Sequence, residues 1–173
     1  ESIACCDFAA FGQIISKAVE AGQRIVAYFG DDSELGGAVD LYAVLADRVQ
    51  SVLRAGRTRV DSDSFPALTP DCPQAHLFER EIAEQFGLVP EGHPWLKPVR
   101  FHASYRPGHD AWGRKTDERP LIGVMDYYRV EGAEIHEVAV GPVHAGVIEP
   151  GHFRFQCHGE NVLHLEISLG YQH

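Results

Sequence analysis

The sequence predicts an α+β fold, because residues with helical spacing and residues with strand alternation occupy separate parts of the chain. An amphipathic helical pattern begins near the N-terminus, and three short apolar runs typical of antiparallel strands follow it. A second helical pattern is followed by a long Pro- and Gly-rich stretch. The C-terminal part then alternates strictly between apolar and polar residues. We therefore expect a helix with an antiparallel meander, a long connector and a small antiparallel β extension.

The first part of the chain predicts one helix and three strands. Asp7 can cap a helix whose apolar residues recur at helical spacing, and Gly22 is a natural stop. The run at 24–29 is short and apolar, which favours a strand. The run at 41–47 is short enough to favour a strand over a helix. The run at 51–60 alternates apolar and basic residues and predicts the third strand of a meander.

A second helix is predicted over residues 73–86. The prolines before it rule out regular structure, Asp71 and Gln74 have the spacing of a capping box, and Gly87 ends the helical pattern. One face of this helix is apolar and is expected to be buried. The other face is charged and is expected to be exposed to solvent. The apolar face consists of Ala75, Phe78, Ile82 and Phe86, and the charged face consists of Glu79, Arg80 and Glu84.

The rest of the chain predicts an irregular connector and two β-hairpins. Residues 102–120 lack an apolar period and are rich in Pro and Gly, so we expect them to be irregular and loosely held without a partner. Residues 126–130 and 135–140 read as one hairpin. Residues 152–158 and 162–169 read as another, with Phe and Leu side chains on one face and polar side chains on the other.

The composition excludes several classes of protein. The formal net charge of −10 disfavours nucleic-acid binding, since phosphate contacts need a basic surface. The apolar stretches are shorter than the ~20 residues that span a bilayer. The four cysteines form no C-x-x-C pair, so the usual zinc and iron–sulfur spacings are missing, and we expect free thiols in a cytosolic protein.

A long motif runs through residues 65–101, FPALTPDCPQAHLFEREIAEQFGLVPEGHPWLKPVRF. It has Phe-Glu-Arg-Glu in the predicted helix, Phe-Gly at the helix end and Gly-His-Pro soon after. This stretch closely resembles the end of the C subunit of NADH–quinone oxidoreductase, respiratory complex I. The residues that carry the resemblance are Phe78, Glu79, Arg80, Glu81, Phe86, Gly87, Gly92, His93 and Pro94.

The stretch from Tyr128 to His173 resembles a different protein, the beginning of the large subunit of a membrane-bound, group 4 nickel–iron hydrogenase of the formate-hydrogenlyase type. That large subunit is homologous to the D subunit of complex I. The Arg-x-Cys-Gly-x-Cys pairs that hold the metals of hydrogenases are absent from this sequence. The matching motifs are GPVH at 141–144, EPGHFRF at 149–155 and LGYQH at 169–173.

Together the two resemblances imply a domain like the complex I C subunit at 1–101, a connector at 102–120 and the start of a large subunit at 121–173. They imply that the chain is the N-terminal part of a longer polypeptide or a gene product that ends at that junction. The implied role is structural: assembly of a membrane-associated electron-transfer complex, either a quinone reductase or a hydrogenase. The implied location is cytoplasmic and peripheral to the inner face of the cell membrane, with membrane contact only through partner subunits.

The resemblances also imply partners, cofactors and candidate residues. The partners would be iron–sulfur subunits and the remainder of the large subunit. No cofactor is expected in this chain, and a quinone or Ni–Fe centre and iron–sulfur clusters are implied for the full complex. The Gly-Pro-Val-His loop would contribute to the quinone or hydrogenase site. The candidates there are His144, His152 and Arg154, with Glu149 nearby, and the candidates for partner docking are Glu79, Arg80, Glu84 and His93.

A second function, from a different class of protein, is also compatible with the sequence. Several histidines fall in the C-terminal half, so a soluble metal- or ligand-binding module could use this His-rich β face. No His-x-His or His-x-x-x-His spacing supports a metal, and we assign no metal ligand from the sequence. Strand alternation could bring His158 and His164 together across the second hairpin. The histidines concerned are His136, His144, His152, His158 and His164.

Overall fold

The computed structural model of the chain describes residues 3–32, 37–114 and 120–172. It divides into two compact units, Glu1–Leu121 and Ile122–His173. Both units contain mainly antiparallel strands, and the helices belong to the first, so the predicted α+β class is confirmed. Over the described ranges, no helix is long and apolar enough to cross a membrane.

A four-stranded sheet forms the base of the first unit. The predicted three-stranded antiparallel meander is confirmed, and a two-residue strand pairs parallel to its last member. This additional strand was not predicted, because two residues are too few to show the alternation of a strand. In spatial order the strands are β1 (Cys5–Cys6), β4 (Val52–Val60), β3 (Val39–Asp47) and β2 (Arg24–Asp31).

Helix α1 (Phe8–Glu20) lies against one face of this sheet. The predicted cap is confirmed, because the Asp7 carboxylate accepts a hydrogen bond from the Ala10 amide at 2.8 Å. Phe11 and Ile15 face inward and are almost completely buried. They pack with the apolar side chains that alternate along the inner face of the sheet, among them Ile25, Tyr28, Leu41, Ala43 and Leu45.

The second helix differs from the prediction at its start. A 3-10 turn occupies Pro73–Ala75, and α2 runs over His76–Phe86 without a side-chain cap. The predicted capping box is wrong because Gln74 is used elsewhere: its Oε1 accepts a hydrogen bond from the Ile25 amide at 3.1 Å. Two short strands, β5 (Ser64–Pro66) and β6 (Val89–Glu91), flank the helix and pair in parallel.

Gly87 ends α2 as predicted, in the left-handed conformation with φ 66°. A second constraint also requires glycine here, since a Cβ atom would lie 2.6 Å from the main chain of His109. Residues 102–114 have no regular structure, as predicted, but they pack onto the first unit. Arg106 is buried and donates to the carbonyls of Phe86 (3.0 Å) and Gly37 (2.7 Å). The expectation of a loosely held segment is therefore wrong for 102–114, and residues 115–119 lie outside the described residues.

The second unit is a three-stranded antiparallel sheet in the order β7 (Ile135–Val140), β8 (His152–His158) and β9 (Asn161–Ser168). The predicted hairpin of the last two strands is confirmed, and a bulge lies opposite Gln156 and Cys157. The predicted strand at 126–130 is wrong. Its amides bond to side chains instead of a neighbouring strand: Tyr128 donates to Glu166, and Val130 donates to Gln156.

The packing of α2 yields a first testable prediction. Ile82 is 1% exposed within the core of the first unit, so Ile82→Ala should cost about 2–5 kcal/mol of unfolding free energy. Ile14 is 56% exposed on α1, and Ile14→Ala should change stability by no more than about 0.5 kcal/mol. Chemical denaturation of both variants measures the difference. Equal losses would contradict the burial of Ile82 in the core.

Candidate functional site: the charged residues of α2 and the loop 141–151

The charged residues of α2 are buried, which corrects the expectation from the sequence. Glu79 is 0% exposed, Arg80 1% and Glu84 1%. The prediction of a solvated charged face is therefore wrong. Burial of three charged groups is tolerated only when each has hydrogen-bonding partners. Here the partners are mostly main-chain groups of two irregular segments, and we call Glu79, Arg80 and Glu84 the α2 clamp.

Glu79 binds the segment before the helix. Its carboxylate accepts hydrogen bonds from the amide of Leu68 (2.5 Å) and from the amide (3.1 Å) and hydroxyl (2.5 Å) of Thr69. Burial raises the pKa of the Glu79 carboxyl, and these hydrogen bonds oppose that rise. The side chain therefore fixes the Pro-rich approach to α2.

Arg80 and Glu84 bind the segment after the helix. Arg80 donates to the carbonyls of Lys97 (2.7 Å) and Pro98 (3.0 Å), and its guanidinium lies 4.6 Å from the ring centre of Trp95. Glu84 accepts from the amides of Val99 (3.0 Å) and Arg100 (2.8 Å). Burial lowers the pKa of Arg80 to about 10, so the guanidinium stays charged at neutral pH.

Two histidines complete this region. The rings of His76 and His93 stack with centres 5.0 Å apart, and His76 Nε2 lies 3.2 Å from the Arg80 guanidinium. Because Arg80 can only donate, His76 must accept at this nitrogen and is neutral. His93 accepts from the Trp95 amide at Nδ1, and its Nε2 faces the His76 carbonyl. Burial lowers the pKa of both histidines, that of His76 to about 4.

One sequence signal could have identified the clamp. Segments 67–72 and 94–98 contain prolines, lie on the two sides of α2 and do not form extended strands. Buried amides in such segments need acceptors from side chains. Two glutamates and an arginine in a short helix between them supply acceptors and a donor. Predicting this pairing requires knowing that the loops fold back onto α2, which the helical period does not show.

The loop 141–151 closes upon itself between β7 and β8. The Gly151 amide donates to the Pro142 carbonyl at 3.0 Å, and His144 Nε2 lies 2.8 Å from the Gly151 carbonyl. Gly141 has φ +94°, and a Cβ atom there would collide with the Gly151 carbonyl oxygen. The carbonyl accepts, so Nε2 of His144 carries the proton. The loop is thus a fixed structure and not a simple linker.

The three candidate residues of the second unit do not form one open cluster. His144 packs edge-on against Phe153, with ring centres 5.3 Å apart. His152 and Arg154 instead contact Tyr127. The ring centres of His152 and Tyr127 are 5.9 Å apart, and the Arg154 guanidinium carbon lies 4.3 Å from the Tyr127 ring centre. The expectation that both histidines are open to solvent is wrong, because each is half-buried. Their ring contacts also differ, since successive residues at the start of β8 point to opposite faces.

Two further histidines of the C-terminal half, His158 and His164, contact other side chains. His158 pairs with Glu134 at 3.0 Å, while His164 lies against Tyr128 with ring centres 4.2 Å apart. The expected approach of His158 and His164 across the hairpin is wrong, because Gln156 lies opposite His164 and His158 lies opposite Asn161, beside the turn. Within residues 3–32, 37–114 and 120–172, no group of three His, Cys, Asp or Glu side chains is arranged to hold a metal ion.

The α2 clamp yields a second prediction. Glu79→Ala removes the acceptor of three buried donors and should cost about 3 kcal/mol or more. Glu81 on the same helix pairs with Arg100 at a partly exposed site, and Glu81→Ala should cost at most about 1 kcal/mol. Urea unfolding of the two variants provides the comparison. A Glu79→Ala variant as stable as wild type would mean that the clamp does not hold the segment.

The His76 ring yields a prediction about pH. Its folded pKa of about 4 lies below the ordinary 6.5, so the folded state prefers the neutral ring. The folding stability that depends on a neutral His76 ring is complete above pH 6.5 and is lost as the pH falls from 6.5 towards 4. The stability difference between wild type and His76→Gln, which cannot titrate, should therefore change across this interval. A difference that stays constant with pH would contradict a buried, neutral His76.

Comparisons with known proteins agree with this architecture. Residues 14–115 match the family model described as "Respiratory-chain NADH dehydrogenase, 30 Kd subunit". Over 161 residues the chain is 32% identical to "Hydrogenase-4 component G" of Escherichia coli (strain K12). The alignment covers 86% of this chain and 28% of the relative. Over 173 residues it is 27% identical to "Formate hydrogenlyase subunit 5" of the same organism, which covers 89% of this chain and 29% of the relative.

The chain thus spans less than a third of the length of these two relatives. The family match covers most of the first unit, including the whole α2 clamp. The alignments with the two hydrogenase proteins confirm the resemblance predicted from the motifs. The chain belongs to the family of the respiratory-chain NADH dehydrogenase 30 Kd subunit, in the form found in hydrogenases related to complex I.

Proposed function

We propose that this chain is an assembly component of a membrane-associated electron-transfer complex of the group 4 hydrogenase or NADH–quinone oxidoreductase type. The observation that carries the proposal is the alignment of most of the chain with two hydrogenase proteins together with the 30 Kd family match. In this role the first unit docks on iron–sulfur subunits. The second unit contributes one loop of the quinone or hydrogenase site, and the remainder of a large subunit forms the rest.

For the first unit, we propose that the α2 clamp acts on docking indirectly. Its side chains are buried, so they cannot form the docking surface themselves. Instead they fix residues 97–100, and Arg106 fixes the segment that follows. That segment presents Tyr105, which is 60% exposed and stacks with His102 at 5.4 Å. Aromatic side chains are enriched at protein interfaces, which supports this surface as the contact with a partner subunit.

For the second unit, we propose that the loop 141–151 faces the redox site. Hydrogen bonds within the loop hold His144 in place, and the apolar side chains around it are exposed. Val143 is 73% exposed, Val147 82% and Ile148 53%. Exposed apolar side chains on a fixed loop are typical of a surface completed by a partner. His144 would orient or protonate a reducible group there, with His152 and Arg154 as supporting residues.

We propose that the redox centres are held by other parts of the complex. A quinone or Ni–Fe centre and iron–sulfur clusters would belong to the partner subunits, because the four thiols of this chain are unpaired and show no cluster spacing. The chain would sit on the cytoplasmic side, peripheral to the inner face of the membrane and attached through its partners. The rival proposal, a metal-binding module on the His-rich face, has no supporting geometry among the described residues.

The test is turnover of the assembled complex with His144→Ala. We expect turnover to fall at least tenfold while the subunits still co-purify, because the loop loses both its imidazole and the bond to Gly151. The loss of that single hydrogen bond should cost only about 1 kcal/mol of stability.

The matched control is His136→Ala, which is exposed and lies at the end of β7 away from the loop. Turnover should be unchanged in this variant. Normal turnover in His144→Ala, or an equal loss in both variants, would remove the loop from the redox site. Failure of the wild-type chain to co-purify with hydrogenase subunits would overturn the assembly role itself.

A further inference from the structure

Strand β7 (Ile135–Val140) forms an uncovered edge of the sheet in the second unit. It pairs with β8 on one side, and no strand in the part of the chain that the structure describes pairs with its other side. Five of its six residues are exposed. The main-chain amides and carbonyls that point away from β8 are therefore open to solvent. Such a row of donors and acceptors binds a further β-strand, which supplies a matching row.

The sheet of the first unit protects its two edges, in contrast to β7. Strand β1 at one edge is only two residues long. Strand β2 at the other edge contacts the 3-10 turn and α2, and the Gln74 side chain accepts from the Ile25 amide. Short or covered edges prevent pairing with other chains. Strand β7 has neither protection, since it is six residues long, contains no proline and pairs with β8 without a bulge.

The charge on β7 does not protect the edge either. Charged side chains often keep other strands away from an edge. The Glu137 carboxylate is instead turned towards β8, where it accepts from the Arg154 guanidinium (2.5 Å) and from Gln156 Nε2 (2.7 Å). The three residues that follow it, Val138–Val140, are apolar. Most of the strand can therefore meet another strand without bringing an unpaired charge against it.

A second copy of β7 fits this edge in one register. Opposite residues of an antiparallel pair point to the same face, so the two-fold axis must pass through a residue. An axis at Glu137 would place two carboxylates opposite each other, which is destabilising. An axis at Ala139 would place Pro142, which has no amide hydrogen, opposite a residue of the strand. An axis at Val138 avoids both, because Val138 then lies opposite its own copy and Glu137 lies opposite Ala139.

We propose that two copies of this chain join through β7, antiparallel and with the two-fold axis at Val138. Two three-stranded sheets then form one sheet of six strands. Val138 and Val140 make the apolar faces of the two sheets continuous across the junction. A single pair of strands is a small interface, so the dimer should be weak. The junction uses neither the surface at Tyr105 nor the His144 ring, so its test is independent of the proposed function.

Sedimentation of the 173-residue chain at increasing concentration tests whether the dimer forms. We expect monomers at about 1 µM and mainly dimers at about 500 µM, as for other small interfaces. The formal net charge of −10 repels the two copies, so added salt should strengthen the dimer by screening this repulsion. A chain that remains monomeric at the highest concentration would overturn the proposal.

A charge swap at the axis tests the register. Val138 is 41% exposed, so Val138→Lys and Val138→Glu should fold normally, which circular dichroism checks. In each variant alone two like charges lie opposite each other, and the dimer should weaken about fivefold or more. A 1:1 mixture of the two variants places opposite charges together and should dimerise more strongly than either variant alone. Undiminished dimers in the single variants, or a mixture no stronger than they are, would overturn the pairing at Val138.

The matched control makes the same substitutions at Leu165. This residue is 42% exposed on the same face of the sheet, but it lies on β9 at the opposite edge. Leu165→Lys and Leu165→Glu should therefore dimerise like wild type. Loss of the dimer in the Leu165 variants, with normal dimers in the Val138 variants, would mean that two sheet faces pack together. That result would overturn a junction through the edge.

Hydrogen exchange of the wild-type chain gives a readout that needs no substitution. The outward amides of β7 should exchange more slowly at about 500 µM than at about 1 µM, because a neighbouring strand protects them. Amides of β3, which has a strand on each side, should exchange equally at both concentrations. Exchange of β7 that does not change with concentration would contradict the proposed pairing.

Discussion

The first unit depends on one physical constraint: main-chain groups in its irregular segments must find partners when they are buried. Glu79 meets this constraint before α2, and Glu84 and Arg80 meet it after the helix. The interaction explains why charges lie in the core and why a Pro-rich sequence is ordered on both sides of an eleven-residue helix. The motif that resembles the C subunit of complex I therefore has a structural role in the fold, because its charged side chains hold the irregular segments on both sides of α2.

The sheet of the second unit has one polar face and one apolar face. One face carries Gln156, Arg154 and Glu166 and is covered by the segment around Tyr127 and Tyr128. The opposite face is apolar, with Val138 at 41%, Leu165 at 42% and Ile167 at 37% exposure. A sheet with one covered polar face and one exposed apolar face is suited to association. This agrees with the proposal that the loop 141–151 works beside a partner surface.

Elements with a clear period could be predicted from the sequence, and elements defined by long-range contacts could not. The alternation in 152–158 and 162–169 predicted the second hairpin, and the Gly87 stop was correct. The prediction of a strand at 126–130 was wrong because amides of this segment bond to the side chains of Glu166 and Gln156 instead of to a neighbouring strand. The sequence singled out His144 and the Gly-Pro loop, but it placed His152 beside His144, whereas the sheet separates their contacts.

The sequence by itself determined the α+β class, the helix ends marked by Asp7 and Gly87, and the family, because caps, stops and motifs act over a few residues. Only the tertiary structure decided that Glu79 and Glu84 are buried. The helical period places both on the polar face of α2, and a period cannot show what packs against that face. The loops that cover it come from residues 68–69 and 97–100, and their amides bring the hydrogen bonds that make burial of charge possible.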